Sequence, residues 1–241
     1  MPGAIYAALS GLRTRSERLD RIAGDIANAA TPGYKGDRTT TIATDRPTFS
    51  DSLQSAVDVV SSAAKVDFRE GSVVPTGRDL DFAIQGEGFF SIQTPSGVRY
   101  TRSGHFTKSM DGSITTPAGD FLLGEDGSPL KLPPGQLVFG EDGTIRVGKT
   151  TVGRPAVTTF SDLSQLVREN GVRFAAPTGL TPEPAATSSV RPGMLEESNV
   201  LPQERMAQLV GASRSFDALQ RGISVLMNDM DSRAISELGR R

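Results

Sequence analysis

The chain has 241 residues, 26 basic and 28 acidic side chains, no cysteine and one histidine. Without cysteine there is no disulfide framework, thiolate metal site or cysteine nucleophile, and a single histidine excludes a histidine-rich metal cluster. A formal net charge of −2 argues against bulk nucleic-acid binding, which needs a concentrated basic surface. The first element in chain order is a helix over residues 3–29. Apolar or small side chains fall at Ile5, Leu9, Leu12, Ser16, Leu19, Ala23 and Ile26, and Ala8 and Ile22 widen the stripe. Alternating steps of four and three put these side chains on one helix face. Glu17 and Arg21 form a favourable pair one turn apart, and Thr31-Pro32-Gly33 stops the helix. No apolar run is long enough to span a bilayer. The N-terminus lacks a basic segment ahead of an apolar one, so it does not read as a cleavable secretory signal.

Residues 36–65 read as a polar linker, with a short helix around Ser50 to Ala64. Residues 66–195 read as β-rich. Leu80, Phe82 and Ile84 alternate with Asp81, Ala83 and Gln85, the period of a strand. Asp-Gly pairs at 111–112, 126–127 and 142–143 mark hairpin turns. The stretch from Pro177 to Pro192 reads as an exposed connector. Residues 196–241 return to helical period, with Leu209, Ser213, Phe216, Gln220, Ile223, Met227, Met230 and Ala234 in the seam and a start near Asn199 and Pro202.

Several patterns suggest chemistry and are better explained by structure. Gly143 to Thr150 fits the phosphate-loop template, but Gly153, Pro155 and β-branched neighbours oppose the helix that must follow. His105 sits near a turn with no identifiable orienting partner. Gly86 and Gly88 lack the third glycine of a dinucleotide loop and read as a bulge between strands. Asp111 and Asp126 lack the acidic ligands of a calcium loop. No catalytic residue, metal ligand or cofactor site is assigned. The terminal stripes carry more information. A helix that cannot bury its stripe within its own chain must find partners, and head-to-tail contacts that do not close generate a filament.

These segments resemble the signatures of the bacterial flagellar rod and hook proteins. The resemblance rests on Ala8 to Leu12, Ile22 to Asn28 and Thr31-Pro32-Gly33-Tyr34-Lys35. A central motif runs from Leu80 to Phe90, through Gly86, Gly88, Phe89 and Phe90, and continues from Tyr100 to Phe106. The third segment is Leu195 to Val200, including Ser198 and Asn199, with Glu204, Met206, Arg214 and Phe216. The resemblance implies a mixed, discontinuous fold: long amphipathic N- and C-terminal helices form a coiled-coil inner domain and flank a mainly antiparallel β domain. It implies an axial structural subunit of the basal body, not an enzyme. Such a subunit polymerises through its terminal helices into a tube that transmits torque and lets exported subunits pass. The implied partners are copies of itself, other axial proteins and the flagellar type III export apparatus, with no nucleic acid, small-molecule substrate or membrane insertion.

Ala4-Ile5-Tyr6 and the modest length resemble the proximal-rod branch, with the distal-rod branch as the alternative. The subunit-contact residues expected are Ile5, Leu9, Leu12, Leu19, Ile22, Ile26, Leu209, Phe216, Ile223, Met227 and Met230. The chain departs from the family at Asp25, where an asparagine is usual; a carboxylate there only accepts hydrogen bonds. Two other readings stand beside this one. One is a nucleotide-dependent enzyme built on Lys149. The other is a monomeric secreted β module whose helical ends pack on itself.

Overall fold

A computed structural model describes residues 2–38, 65–140, 143–185 and 187–238, with side chains described from 9 to 225. The expected short helix at 50–64 and most of the 36–65 linker lie outside the described residues. The chain divides into two units, one formed from parts of 1–27, 37–65 and 201–241, the other from 28–36 and 66–200.

The first unit is built on two helices, α1 (Pro2–Ala27) and α2 (Pro202–Leu238). Pro202 opens α2, where a missing N–H costs nothing, and Glu204 lies in its first turn, where the helix dipole favours a negative charge. The helices run antiparallel. Asp25 meets Arg205, Arg15 donates to the Ser215 carbonyl, and a Cβ on Gly11 would touch Leu219 at 3.5 Å. On the outer face of α1, Glu17 takes Arg13 as its ion-pair partner at 2.9 Å.

The coiled-coil inner domain of long helices is corrected here. The described residues hold two helices beside short, mostly antiparallel strands, and the helices meet along a narrow line. Leu12, Leu19 and Ile26 are partly buried and Ile22 is buried; opposite them Leu209, Ala212, Phe216, Leu219 and Ile223 are partly buried. Ser16, Ala23, Ser213 and Gln220 face solvent, and Leu9 is 53% exposed. The reason lies in the stripe itself. Small and polar residues at every second step leave too few large knobs to hold a heptad seam.

In the second unit, the strand Phe89–Thr94 is the organising element. It pairs antiparallel with Gly97–Thr101, Phe121–Leu122 and Val157–Thr159. Successive side chains of a strand point to opposite faces, and here both faces are covered. Phe90 and Ile92 enter one apolar cluster with Phe82, Ile84, Phe106, Ile114, Leu122, Leu130, Leu132, Ile145 and Val147. Phe89 enters another with Tyr100, Phe160, Leu166 and Phe174. Edge-to-face contacts, the arrangement ring quadrupoles favour, fix both: Phe90–Phe106 at 5.5 Å and Phe89–Phe68 at 5.5 Å.

The Asp-Gly turns at 111–112 and 126–127 are built as their chemistry requires. Asp111 and Asp126 each accept from the backbone N–H two residues on, at 3.2 and 3.1 Å. Gly112 has φ 85°, and a Cβ there would lie 2.8 Å from the Leu132 carbonyl oxygen. Asp142 lies outside the described residues. The phosphate-loop look-alike is a hairpin: Ile145–Val147 pairs antiparallel with Thr150–Gly153, and Gly148 and Lys149 form its turn. The expected connector at 177–192 is also corrected. Glu183–Pro184 pairs with Val157–Thr159, and Ser189–Pro192 pairs with Phe82–Gln85. Of its prolines, Pro184 and Pro192 each stand last in a short strand.

Candidate functional site

Parts of the three sequence segments that carry the family resemblance, around Gly33 to Lys35, Arg102 to Ser103 and Leu195 to Asn199, meet at one place in the β unit. The opening segment, Asn28 to Gly36, begins with a turn in which Thr31 N–H donates to the Asn28 carbonyl at 3.0 Å. Gly33 follows with φ 70°; a Cβ there would lie 2.2 Å from the Ser103 nitrogen, so no side chain fits. The closing segment lies alongside. Gly33 N–H donates to the Glu196 carbonyl at 2.7 Å, Asn199 N–H to the Tyr34 carbonyl at 3.3 Å, and Gly36 N–H to Asn199 Oδ1 at 2.8 Å. The Asn199 amide also donates to the carbonyls of Asp67 and Arg69, at 2.7 and 3.1 Å. An asparagine suits this position because it donates and accepts at once. Ser198 Oγ accepts from Val200 N–H at 3.2 Å, turning the chain after it.

At the centre lies a buried ion triad. Lys35 is wholly buried, Glu196 is 1% exposed and Arg102 is 4% exposed. Lys35 Nζ sits 2.5 Å from Glu196 Oε1, and Arg102 Nη1 sits 3.1 Å from Glu196 Oε2. The remaining capacity is largely filled. Lys35 donates to the Arg69 carbonyl at 2.6 Å, Gly71 N–H donates to Glu196 Oε1 at 3.0 Å, and Arg102 donates to the carbonyls of Ile84 and Gly86 at 3.3 and 2.7 Å. Two cations face one buried carboxylate, and half-exposed Glu70 stands 3.9 Å from Arg102 as a second counter-charge. Burial is the largest influence on Lys35 and pushes its ammonium below the usual lysine range; Glu196 opposes that shift and Arg102 adds to it. The Arg102 guanidinium also lies over the Phe89 ring at 5.7 Å, and that of Arg168 over Tyr34 at 4.7 Å.

Gly86 and Gly88 shape the approach to this centre. Both have positive φ, 100° and 125°, and a Cβ on Gly88 would lie 2.9 Å from Val157 Cγ1. Phe90 points away from the triad, into the other apolar cluster. His105 has a partner after all: its Nδ1 lies 2.9 Å from Oδ1 of buried Asp81, residues that face each other across an antiparallel bridge.

The helical unit holds a second ionic contact. Asp25, 2% exposed, accepts from Arg205 Nε at 3.1 Å and from Asp37 N–H at 3.3 Å. Arg205 also donates to the Asp37 carbonyl at 2.6 Å and to Gln208 at 2.8 Å. The carboxylate that departs from the family pattern is therefore used as one, against an arginine of the other helix.

Among the expected subunit-contact residues, Leu12, Leu19, Ile22, Ile26, Leu209, Phe216 and Ile223 are at least partly covered by the chain's own helix pair, and Leu9 is exposed. The side chains of Ile5, Met227 and Met230 lie outside the described residues. Sequence reasoning missed both ionic contacts as sites. Lys35, Arg102 and Glu196 each stand inside a motif segment, and that coincidence was the available signal. Among the described residues no group of three or more His, Cys, Asp or Glu side chains could hold a metal ion, and no helix is long and apolar enough to cross a membrane.

The motif residues of this chain fasten its own distant segments together. The family model described as the flagellar hook protein FlgE/F/G D1 domain matches residues 83–147. The flagellar basal-body rod protein FlgF of Caulobacter vibrioides is 31% identical over 226 residues, 92% of each chain. FlgF of Mesorhizobium japonicum is 33% identical over 225 residues, 90% of each chain. The flagellar basal-body rod protein FlgG of Bacillus subtilis is 30% identical over 241 residues, 89% of this chain and 91% of that one. The chain belongs to the family of flagellar basal-body rod proteins.

Proposed function

We propose that this chain is a structural subunit of the flagellar basal-body rod, of the FlgF kind, and that it assembles through its helical unit with copies of itself and with other axial flagellar proteins. The observation that carries this reading is similarity to rod proteins along nine-tenths of the chain, with matched lengths on both sides. A subunit of this kind works by binding, not by catalysis. The residues left for neighbours are those the helix pair does not cover: Leu9 on α1, with Met206, Val210 and Val225 on α2, each more than half exposed. Fully burying one such side chain is worth roughly 1.5–3 kcal/mol, so a few per contact suffice to drive association. Buried Ile22 and partly covered Leu19, Phe216 and Ile223 set the spacing of the pair. The chain travels to the basal body by the flagellar type III export apparatus.

The test is incorporation. A Leu9→Asp, Val210→Asp double variant is expected to leave the monomer folded by circular dichroism and to fail to restore motility in a strain lacking its own copy. Restoration to wild-type motility would overturn the reading.

A further inference from the structure

We infer that the Lys35–Glu196–Arg102 triad is a latch that releases the opening and closing segments of the β unit together, while the two apolar cores stay closed. The inference concerns the β unit alone and holds whether or not the chain polymerises.

The argument starts from what holds each part. Neither apolar cluster contains a residue of 28–36 or of 193–200. Tyr34, Leu195 and Val200 are buried, but outside both clusters. The two segments are fastened by hydrogen bonds and charge. Asn199 carries part of it, Arg168 of the sheet donates to the Lys35 carbonyl and lies over the Tyr34 ring, and the charged hub is Glu196. Its carboxylate takes Lys35 from the opening segment, Gly71 N–H from the connector, and Arg102 from the sheet, and its carbonyl takes Gly33 N–H. The strand Met194–Glu196 pairs only with Val73–Pro75, itself outside both clusters. Loss of the Glu196 charge leaves two buried cations facing each other, with only half-exposed Glu70 near. In a low-dielectric interior that arrangement repels, and the latch opens when Lys35 relieves it by reaching water instead of shedding its proton in place. Lys35 leaves by carrying Tyr34 and Gly36 with it, which strips the Asn199 contacts of the closing segment. Arg102 remains, because its carbonyl partners Ile84 and Gly86 belong to the sheet. The design therefore has two stability levels. The cores open only with the whole unit; the paired segments open below that threshold, as one step.

Hydrogen exchange read by mass spectrometry on the full chain tests this. Glu196→Gln should speed exchange about tenfold or more in peptides covering 28–36 and 193–200, with peptides covering 82–94 held within about twofold of wild type. Lys35→Met, the milder variant, keeps the Glu196–Arg102 pair. It should speed exchange in both segments together, by a smaller factor than Glu196→Gln does. Unchanged exchange in both variants would overturn the latch. Uniform acceleration across all peptides, up to outright unfolding, would also overturn it, because the triad would then be part of the cooperative core.

Discussion

The β unit and the helical unit use the same kinds of residue to opposite effect. In the β unit, strands of two to six residues enclose side chains so completely that Phe82, Phe90, Phe106 and Phe174 have no exposed surface. In the helical unit, much longer elements bury only Ile22 and Asp25 among the side chains described. Length of regular structure is therefore a poor guide to self-sufficiency. A strand with both faces covered has every side chain inside, whereas a helix pair covers one stripe of each helix and leaves the rest. The more regular unit is the one with surface left for neighbours.

Variants at each site sharpen that contrast. Phe90→Ala should destabilise the β unit by about 3–5 kcal/mol, the range for removing a buried aromatic ring. Urea unfolding followed by tyrosine fluorescence reads it, and a much smaller loss would mean the double-sided core is not what holds the unit. Asp25→Ala should cost about 1–3 kcal/mol, since it strips acceptors from Arg205 and the Asp37 N–H. It should lower the helical circular dichroism signal while hydrogen exchange in peptides covering 82–94 stays at the wild-type rate; loss of both together would show that the units unfold as one. Leu9→Asp alone should leave monomer stability within about 0.5 kcal/mol, the usual range for an exposed position. The smallest effect is at Glu169, whose carboxyl is held below the usual glutamate range chiefly by its hydrogen bond from Arg99. A depressed carboxyl adds stability above its unfolded pKa and loses it as pH falls through its folded one. Glu169→Gln should therefore lower stability slightly near neutrality, and its difference from wild type should fade as pH falls below the usual glutamate range.

The legible parts of this molecule were local. Asp111-Gly112 and Asp126-Gly127 announce their turns because only certain residues take those backbone angles. The four-and-three spacing of Leu12, Ser16, Leu19, Ala23 and Ile26 announces a helix. What sequence could not supply was anything set by distant partners. The stripe reads as an unbroken seam, yet its small and polar members leave it too weak for the coiled coil that the resemblance implied. The stretch from Pro177 to Pro192 has the composition of a connector and is recruited into sheets by strands up to about a hundred positions earlier. Lys35 and Glu196 are 161 positions apart; each alone looks like an ordinary solvated charge. The family signature marked where they are, and only folding shows that they meet. The same is true of Asp25 and Arg205.

The pairing of Tyr34 and Gly36 with Asn199 has a mechanical consequence. The chain enters and leaves the β unit side by side, so a pull applied at those two points runs across the short splice between them. The sheets hang from that splice as a side branch, outside the line of tension. A load of that kind is resisted first by a few hydrogen bonds and the carboxylate of Glu196, and it reaches the aromatic core through Arg168, which bridges the opening segment to Phe174.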